Sequence, residues 1–163
     1  MCERIIPNSE MITEKQIDLF EEVKLEDCII LHCISADKAM GAGIAKTLQN
    51  TFKIRENWPQ KLPKRLIGWN SKGYSVFVSC KNQLIGNLIT KENYWDKPTY
   101  TTFWEALNDA AQTLKELSLN GFNVPNKIVM PKIGCGLDKL AWDKVKRMIE
   151  IVFSSNDVTV CFL

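Results

Sequence analysis

Hydrophobic and polar positions along this chain switch repeatedly between two periods. "DCIILHCI" (Asp27–Ile34) is a short unbroken apolar run, the pattern of a strand covered on both faces. "GIAKTLQNTF" (Gly43–Phe52) follows with helical spacing. "RLIGW" (Arg65–Trp69), "YSVFVSC" (Tyr74–Cys80) and "QLIGNLIT" (Gln83–Thr90) read as strands with turns between them. In "TTFWEALNDAAQTLKELSL", Phe103, Leu107, Ala110, Ala111, Leu114 and Leu117 fall on one helical face. Thr102 with Glu105 reads as its capping box, and Asn120-Gly121 as its stop. "NKIVMP" (Asn126–Pro131) is a strand. Val145, Met148, Ile149, Val152 and Phe153 mark a last helix, and "DVTVCFL" (Asp157–Leu163) a terminal strand. Strands alternating with helices predict an α/β fold with a parallel or mixed sheet between helical layers. Ligands of such sheets bind beyond the carboxyl ends of the strands.

Composition narrows the class without naming a function. The 163 residues suit one domain spanning 1–163, and 45% hydrophobic with 25% charged residues is ordinary globular usage. A net charge of +2 is too small to announce a polyanionic partner. No apolar run nears the ~20 residues of a membrane helix, and the opening "MCERIIPNSEMITEKQ" has no apolar core of a signal peptide. The six cysteines form no C-x-x-C pair, and most lie in or beside apolar runs. They read as reduced core residues of an intracellular protein, cytoplasmic or nuclear. With a single histidine, His32, and no cluster at ligand spacing, neither a metal site nor a cofactor is expected.

Two loops stand out at strand ends. In "HCISADKAMGAGIAKTL" a buried strand ends near Ser35, and Gly41-Ala42-Gly43 opens a helix. In "MPKIGCGLDKLAW" a strand ends, Gly134-Cys135-Gly136 follows, and then a helical pattern begins. Glycine lets backbone approach a ligand closely, and free N–H groups near a helix start favour anions. Neither loop carries the dinucleotide or P-loop fingerprint. Taken singly, each is equally an ordinary turn. Two such loops at two strand ends favour a ligand with more than one phosphate.

The blocks "HCISADKAMGAGIAKTL", "NLITKENYWDKPTY" and "MPKIGCGLDKLAWDKVKRMIEIVF" resemble a macrodomain. They are closest to its branch of enzymes that remove terminal ADP-ribose from proteins and deacetylate O-acetyl-ADP-ribose. The similarity runs from about Thr13 to Leu163. It implies a three-layer α/β/α fold with a mixed central sheet. It also implies a cleft holding ADP-ribose, with the diphosphate between Met40–Ile44 (Met40, Gly41, Ala42, Gly43, Ile44) and Ile133–Leu137 (Ile133, Gly134, Cys135, Gly136, Leu137). Asp18 matches an aspartate that binds the adenine amino group, and Ser35 lies where the family contacts the distal ribose. The family usually has glycine before that aspartate, where this chain has Ile17. Cys161-Phe162 stands where an aromatic and a small polar residue are usual.

In the enzymes resembled, a lysine and an aspartate release ADP-ribose from a carboxylate side chain; the matching positions are Lys91 and Asp138. A neutral lysine amine can attack the masked aldehyde of the distal ribose and form a Schiff base, while a carboxylate moves protons. Read by residue type alone, Lys91 is a solvated strand-end lysine and Asp138 a helix cap. Cys33 follows a buried run and reads as packing, and Cys135 as a backbone donor. Trp58, Trp69 and Trp95 lie in or near loops, and no function is read from them, although Trp95 is only four residues past Lys91. The resemblance therefore implies a mono-ADP-ribosyl ester hydrolase acting on ADP-ribosylated protein, with O-acetyl-ADP-ribose as second substrate; from the length of the chain alone a monomer is expected. Its alternatives are an ADP-ribose 1″-phosphate phosphatase, a hydrolase of nucleic-acid-linked ADP-ribose, and a reader that binds ADP-ribose without cleaving it.

Overall fold

The computed structural model describes residues 12–62, 66, 68–136 and 138–163. The expectation placed on Leu137, and part of the strand expected over Arg65–Trp69, lie outside them. The elements in chain order are β1 (Ile12–Gln16), α1 (Leu19–Glu22), β2 (Ile29–Ser35), α2 (Gly43–Phe52), β3 (Tyr74–Cys80), β4 (Gln83–Lys91), α3 (Tyr100–Leu119), β5 (Lys127–Pro131), α4 (Trp142–Val152) and β6 (Asp157–Phe162). A short 3-10 turn at Arg55–Asn57 follows α2. Leu66 and Trp69 pack against the core but join no strand.

One six-stranded sheet runs in the order β1-β6-β5-β2-β4-β3. Every neighbouring pair is parallel except β3–β4, which is antiparallel. The sheet is mixed and lies between two helical layers, the α/β/α arrangement expected. Alternation along β2 shows why. Ile29 and Leu31 join the core under α3 and α4, whereas Cys28, Ile30 and Ile34 join the core on the α2 side. A strand covered on both faces has no polar face, hence the unbroken apolar run.

Glycine in mid-strand has a packing reason at Gly86. It pairs with Leu31 on one side and Phe77 on the other. A β-carbon there would lie 2.4 Å from the Leu31 side chain and 2.7 Å from the Phe77 ring. The two neighbours fill the space its side chain would take.

The edge strand β3 is held by α3. Glu105 accepts the Gly73 N–H at 3.0 Å, and Asp109 accepts both the N–H and the hydroxyl of Ser75 at 2.8 Å. The capping box expected of Thr102 with Glu105 is therefore incorrect. Thr99 is the N-cap and exchanges hydrogen bonds with Thr102, which frees Glu105 for β3. The stop at Asn120-Gly121 is as expected, with Gly121 at φ 89°.

Elements β1 and α1 were not legible in the chain. β1 pairs with β6 in the sheet, and ion pairs tie α1 to β1 and β5. Glu22, 1% exposed, receives Lys15 and Lys127, each at 2.7 Å, and Lys127 also reaches Glu26 at 3.1 Å. Burial opposes the Glu22 charge, yet hydrogen bonds from Lys127 and Lys15 outweigh it and hold its pKa below the usual range. Among the described residues no helix is long and apolar enough to cross a membrane.

Removing this carboxylate leaves a buried cation behind. Glu22→Ala should lower unfolding stability by roughly 3 kcal/mol, the low end for a broken buried pair because Lys15 stays partly solvated. A depressed native pKa stabilises above the unfolded value and is lost on acidification through the native one. Wild type should therefore lose stability below about pH 4.5, the ordinary Glu value, and the variant should lose less of it. Denaturant melts at pH 7 and pH 3 check both; parallel pH curves would show that Glu22 carries no such linkage.

Candidate functional site

Because β1, β6, β5, β2 and β4 are parallel, their carboxyl ends share one edge of the sheet. Asp18 follows β1, the second glycine loop follows β5, the first follows β2, and Lys91 ends β4. At roughly 4.8 Å per strand, the row from β1 to β4 spans about 19 Å. Its direction is fixed by strand order.

Lys91 and Asp138 meet near one end of that row. Lys91 Nζ lies 2.6 Å from Asp138 Oδ1, and the two side chains are only 12% and 14% exposed. The backbone aims them at each other. The β2–β4 register shifts between Ile34 and Ser35, so that Ser35 pairs with Lys91, and the Lys91 carbonyl accepts the Ala36 N–H at 2.9 Å. Asp138 does not cap the following helix. Ala141 is the N-cap of α4, with no side-chain capping bond. Lys91 is not a solvated lysine either.

The second glycine loop folds back on itself, with Leu140 N–H donating to the Gly134 carbonyl at 2.7 Å. Gly134 has φ 76°, and a β-carbon on it would press on Leu140 and Phe103 at 3.1 and 3.2 Å. It is glycine for the sake of the turn and the core beneath. Gly136 differs, because no atom lies within 4 Å of its β-carbon position. Ile133 is buried and anchors the loop. The Cys135 thiol turns to the Ile133 carbonyl at 3.3 Å, and burial pushes its pKa up.

The first loop is held from three sides. Ser35 donates its hydroxyl to Asp37, which also accepts the Ala39 and Tyr94 N–H groups, each at 3.0 Å. Burial opposes the Asp37 charge, but these hydrogen bonds and nearby Lys91 hold its pKa below the usual range. Arg55 donates to the Lys38 and Ala39 carbonyls at 3.0 and 2.8 Å. Lys38 and Met40 both take positive φ, 58° and 44°. Met40 points its side chain into the core, and Ile44 packs there partly buried. Ala42 is the N-cap of α2 without a side-chain capping bond, so the first N–H groups of this ten-residue helix face outward unpaired by a cap. Gly41 and Gly43 have nothing within 4 Å of their β-carbon positions.

Asp18 stands apart at the β1 end of the row. It is exposed, and one carboxylate oxygen caps α1 through Phe20 N–H at 2.8 Å. Nearby, Lys132 lies over the Phe162 ring at 4.8 Å and the Trp142 ring at 5.6 Å, and 3.8 Å from Glu14. His32 is 2% exposed, beneath the site rather than in it. Its Nε2 donates to Asn87 Oδ1 at 2.6 Å, since the Asn87 amide nitrogen is donating to Val76. Burial lowers its pKa to about 4 against that bond, leaving a neutral ring. Cys33 lies close to the Lys91–Asp138 pair, and burial, helped by Asp138, pushes its thiol pKa up. It packs partly buried against the core. Among the described residues no group of three or more His, Cys, Asp or Glu is gathered as metal ligands. A separate hollow of about 680 Å³, lined by Cys28, Gln83, Leu117 and Phe122 among others, opens away from these loops.

Sequence reasoning missed Asp37 and Arg55. The bond from Ala39 back to Asp37 is an Asx turn and could have been found; the reach of Arg55 across α2 has no local signal. Arg55→Ala should raise amide hydrogen exchange across Asp37–Gly43 by about tenfold or more, matching one lost charged hydrogen bond. The β2 and β4 amides should exchange as before. Unchanged exchange in the loop would show that it holds its own shape.

No model of a protein family matches the chain. Curated relatives do. The chain is 35% identical over 156 residues to the ADP-ribose glycohydrolase OARD1 of Homo sapiens, covering 94% of this chain and 91% of that protein. It is 35% identical over 133 residues to the ADP-ribose glycohydrolase OARD1 of Bos taurus, covering 80% and 78%. Among solved structures, the macrodomain of Mycobacterium tuberculosis DarG aligns with a TM-score of 0.71 at 19% identity, over 92% of this chain and 96% of that one. The macrodomain of Thermus aquaticus DarG gives 0.69 at 17%, over 93% and 97%. These share the fold described above, and the two OARD1 relatives extend the likeness to sequence. The chain has the fold of these macrodomains and belongs to the family of the ADP-ribose glycohydrolase OARD1.

Proposed function

We propose that this chain is an ADP-ribosyl ester hydrolase. It releases mono-ADP-ribose from glutamate and aspartate side chains, and O-acetyl-ADP-ribose, an ester on the same ribose, is its second substrate. The observation that carries this reading is the 2.6 Å contact of Lys91 with Asp138 at one end of the row of loops. A protein that only bound ADP-ribose would have no chemical need for a half-buried amine and carboxylate in contact. The ligand is supported by the open glycines of both loops and by the uncapped start of α2, which suit a diphosphate. A further fold relative, DarTG of Thermosipho africanus, is described in complex with ADP-ribose; it aligns at TM-score 0.60 and 14% identity, over 97% of this chain and 43% of that one.

The chemistry follows from the pair. Asp138 takes a proton from the Lys91 ammonium across their hydrogen bond, leaving a neutral amine. The Lys91 nitrogen attacks the anomeric carbon of the distal ribose, and the carboxylate of the carrier side chain leaves with the bonding electrons. The attached nitrogen, now positively charged, gives one proton to the departing carboxylate; the ring then opens as its oxygen takes the proton from Asp138, and the nitrogen lone pair forms the C=N bond of a protonated Schiff base on Lys91. Water adds to the imine carbon, the amine is expelled, and ADP-ribose is released. Asp37, with three hydrogen bonds, fixes the buried Ser35 hydroxyl at the end of β2, on the side of the cleft assigned to the distal ribose.

The test is release of labelled ADP-ribose from a protein mono-ADP-ribosylated on glutamate or aspartate. Wild type should release it, and Lys91→Ala should lose at least about a thousandfold in rate while keeping ADP-ribose affinity within about threefold. Equal loss of affinity and rate would make Lys91 a binding residue. Gly136→Val should weaken ADP-ribose binding by about tenfold or more without lowering stability, because its side chain would project only into the open cleft. Unchanged affinity would take the diphosphate away from this loop.

A further inference from the structure

The row of loops does not stop at Lys91. The segment joining β4 to α3 carries two large aromatic residues, Tyr94 and Trp95, with 64% and 65% of their surfaces exposed. Their rings meet edge to face, with centroids 5.0 Å apart and planes at 84°. The backbone beneath is fixed. Tyr94 N–H donates to Asp37 at 3.0 Å, the same carboxylate that holds Ser35. Asn93 and Asp96 close a turn through two bonds, at 2.9 and 3.0 Å. Two aromatic rings held in water on a braced loop are unusual for a surface without a partner. They lie three and four residues past Lys91, within about 14 Å of it along the chain. An ADP-ribose lying along the strand ends leaves this side to whatever the ribose is attached to.

We infer that Tyr94 and Trp95 form a subsite for the carrier, and that its occupant is a basic side chain of a polypeptide, within a few residues of the modified carboxylate. This rests on the ester-hydrolase reading and names its substrate class more closely. Ring faces attract cations, more strongly on Trp and Tyr than on Phe. The charges around them agree: Glu92 is exposed beside Lys91, and the carboxylates of Asp37 and Asp96 lie under the turn. The nearest cations are largely engaged. Lys91 is paired with Asp138, Lys38 lies over the Trp58 ring at 4.9 Å, and Lys97, two residues past Trp95, is itself engaged. A chain of phosphates passing here would face those carboxylates, so a nucleic-acid carrier is disfavoured. An arginine or lysine would meet both the ring faces and the negative charge.

The experiment compares two peptides, each mono-ADP-ribosylated on one glutamate. One carries arginine two residues from it, and the other carries alanine there. Wild type should release ADP-ribose from the arginine peptide with kcat/KM about three- to tenfold higher, through KM. Trp95→Ala should lose that preference while treating the alanine peptide as wild type does, and Trp95→Phe should keep part of it. Affinity of both peptides for Lys91→Ala reads the subsite without turnover. An arginine preference there, with no release by wild type, would support the subsite and overturn the hydrolase reading. Equal handling of the two peptides by wild type would overturn the subsite. So would a Trp95 dependence seen only with an ADP-ribosylated oligonucleotide, which would give the rings to base stacking.

Discussion

Half-buried Lys91 and Asp138, 47 residues apart in the chain, are held 2.6 Å from each other. An ion pair in that position adds little to stability, because removing two charges from water costs about as much as their attraction returns. What it demands is position. The last residue of β4 must face inward along the sheet edge, and the loop after β5 must turn back far enough to present Asp138. The register shift between β2 and β4 serves the first demand. The positive φ of Gly134 and the Leu140–Gly134 bond serve the second. The surrounding fold can thus be understood as scaffolding for one short contact at the carboxyl end of a parallel array.

The first loop obeys the same logic with different means. Asp37 gathers the Ser35 hydroxyl and two backbone N–H groups, one of them from the segment after Lys91. Arg55 grips the loop carbonyls from behind. Glycines here and at Gly136 keep the concave side clear, whereas Gly134 and Gly86 are glycines because neighbouring side chains occupy the space. The same residue type therefore reports two constraints, and only the geometry tells them apart. Asp37 also ties the end of β2, through Ser35, to the segment that carries the aromatic pair, through Tyr94 N–H.

Much of this was legible in the chain, and the exceptions have physical reasons. β2 announced itself because both-face burial leaves a continuous apolar run, and β3 and β4 did so through runs of strand-favouring residues separated by a turn. The bounds of α2 follow from its glycine start and periodic face. β1 was missed because "ITEKQ" is an edge strand with one buried residue, attached through Lys15 to Glu22, and α1 has four residues, too few to show a period. Glu105 was misassigned because its partner, Gly73, is 32 residues away. Lys91 and Asp138, which the structure brings into contact, were singled out through the likeness of "LITK" and "GCGLD" to macrodomain blocks; by residue type they read as a surface lysine and a helix cap. Asp37 and Arg55 act across the fold, where periodicity carries no information.

The measurement that bears most directly on the central claim is borohydride reduction during turnover, followed by mass spectrometry of the peptide containing Lys91. A Schiff base would be fixed as a stable secondary amine joining ADP-ribose to that lysine. An adduct on Lys91 in wild type, absent without borohydride and absent from Asp138→Ala, is the predicted result. Normal release of ADP-ribose with Lys91 unmodified under trapping conditions would contradict the covalent role of the lysine and leave the pair a structural contact.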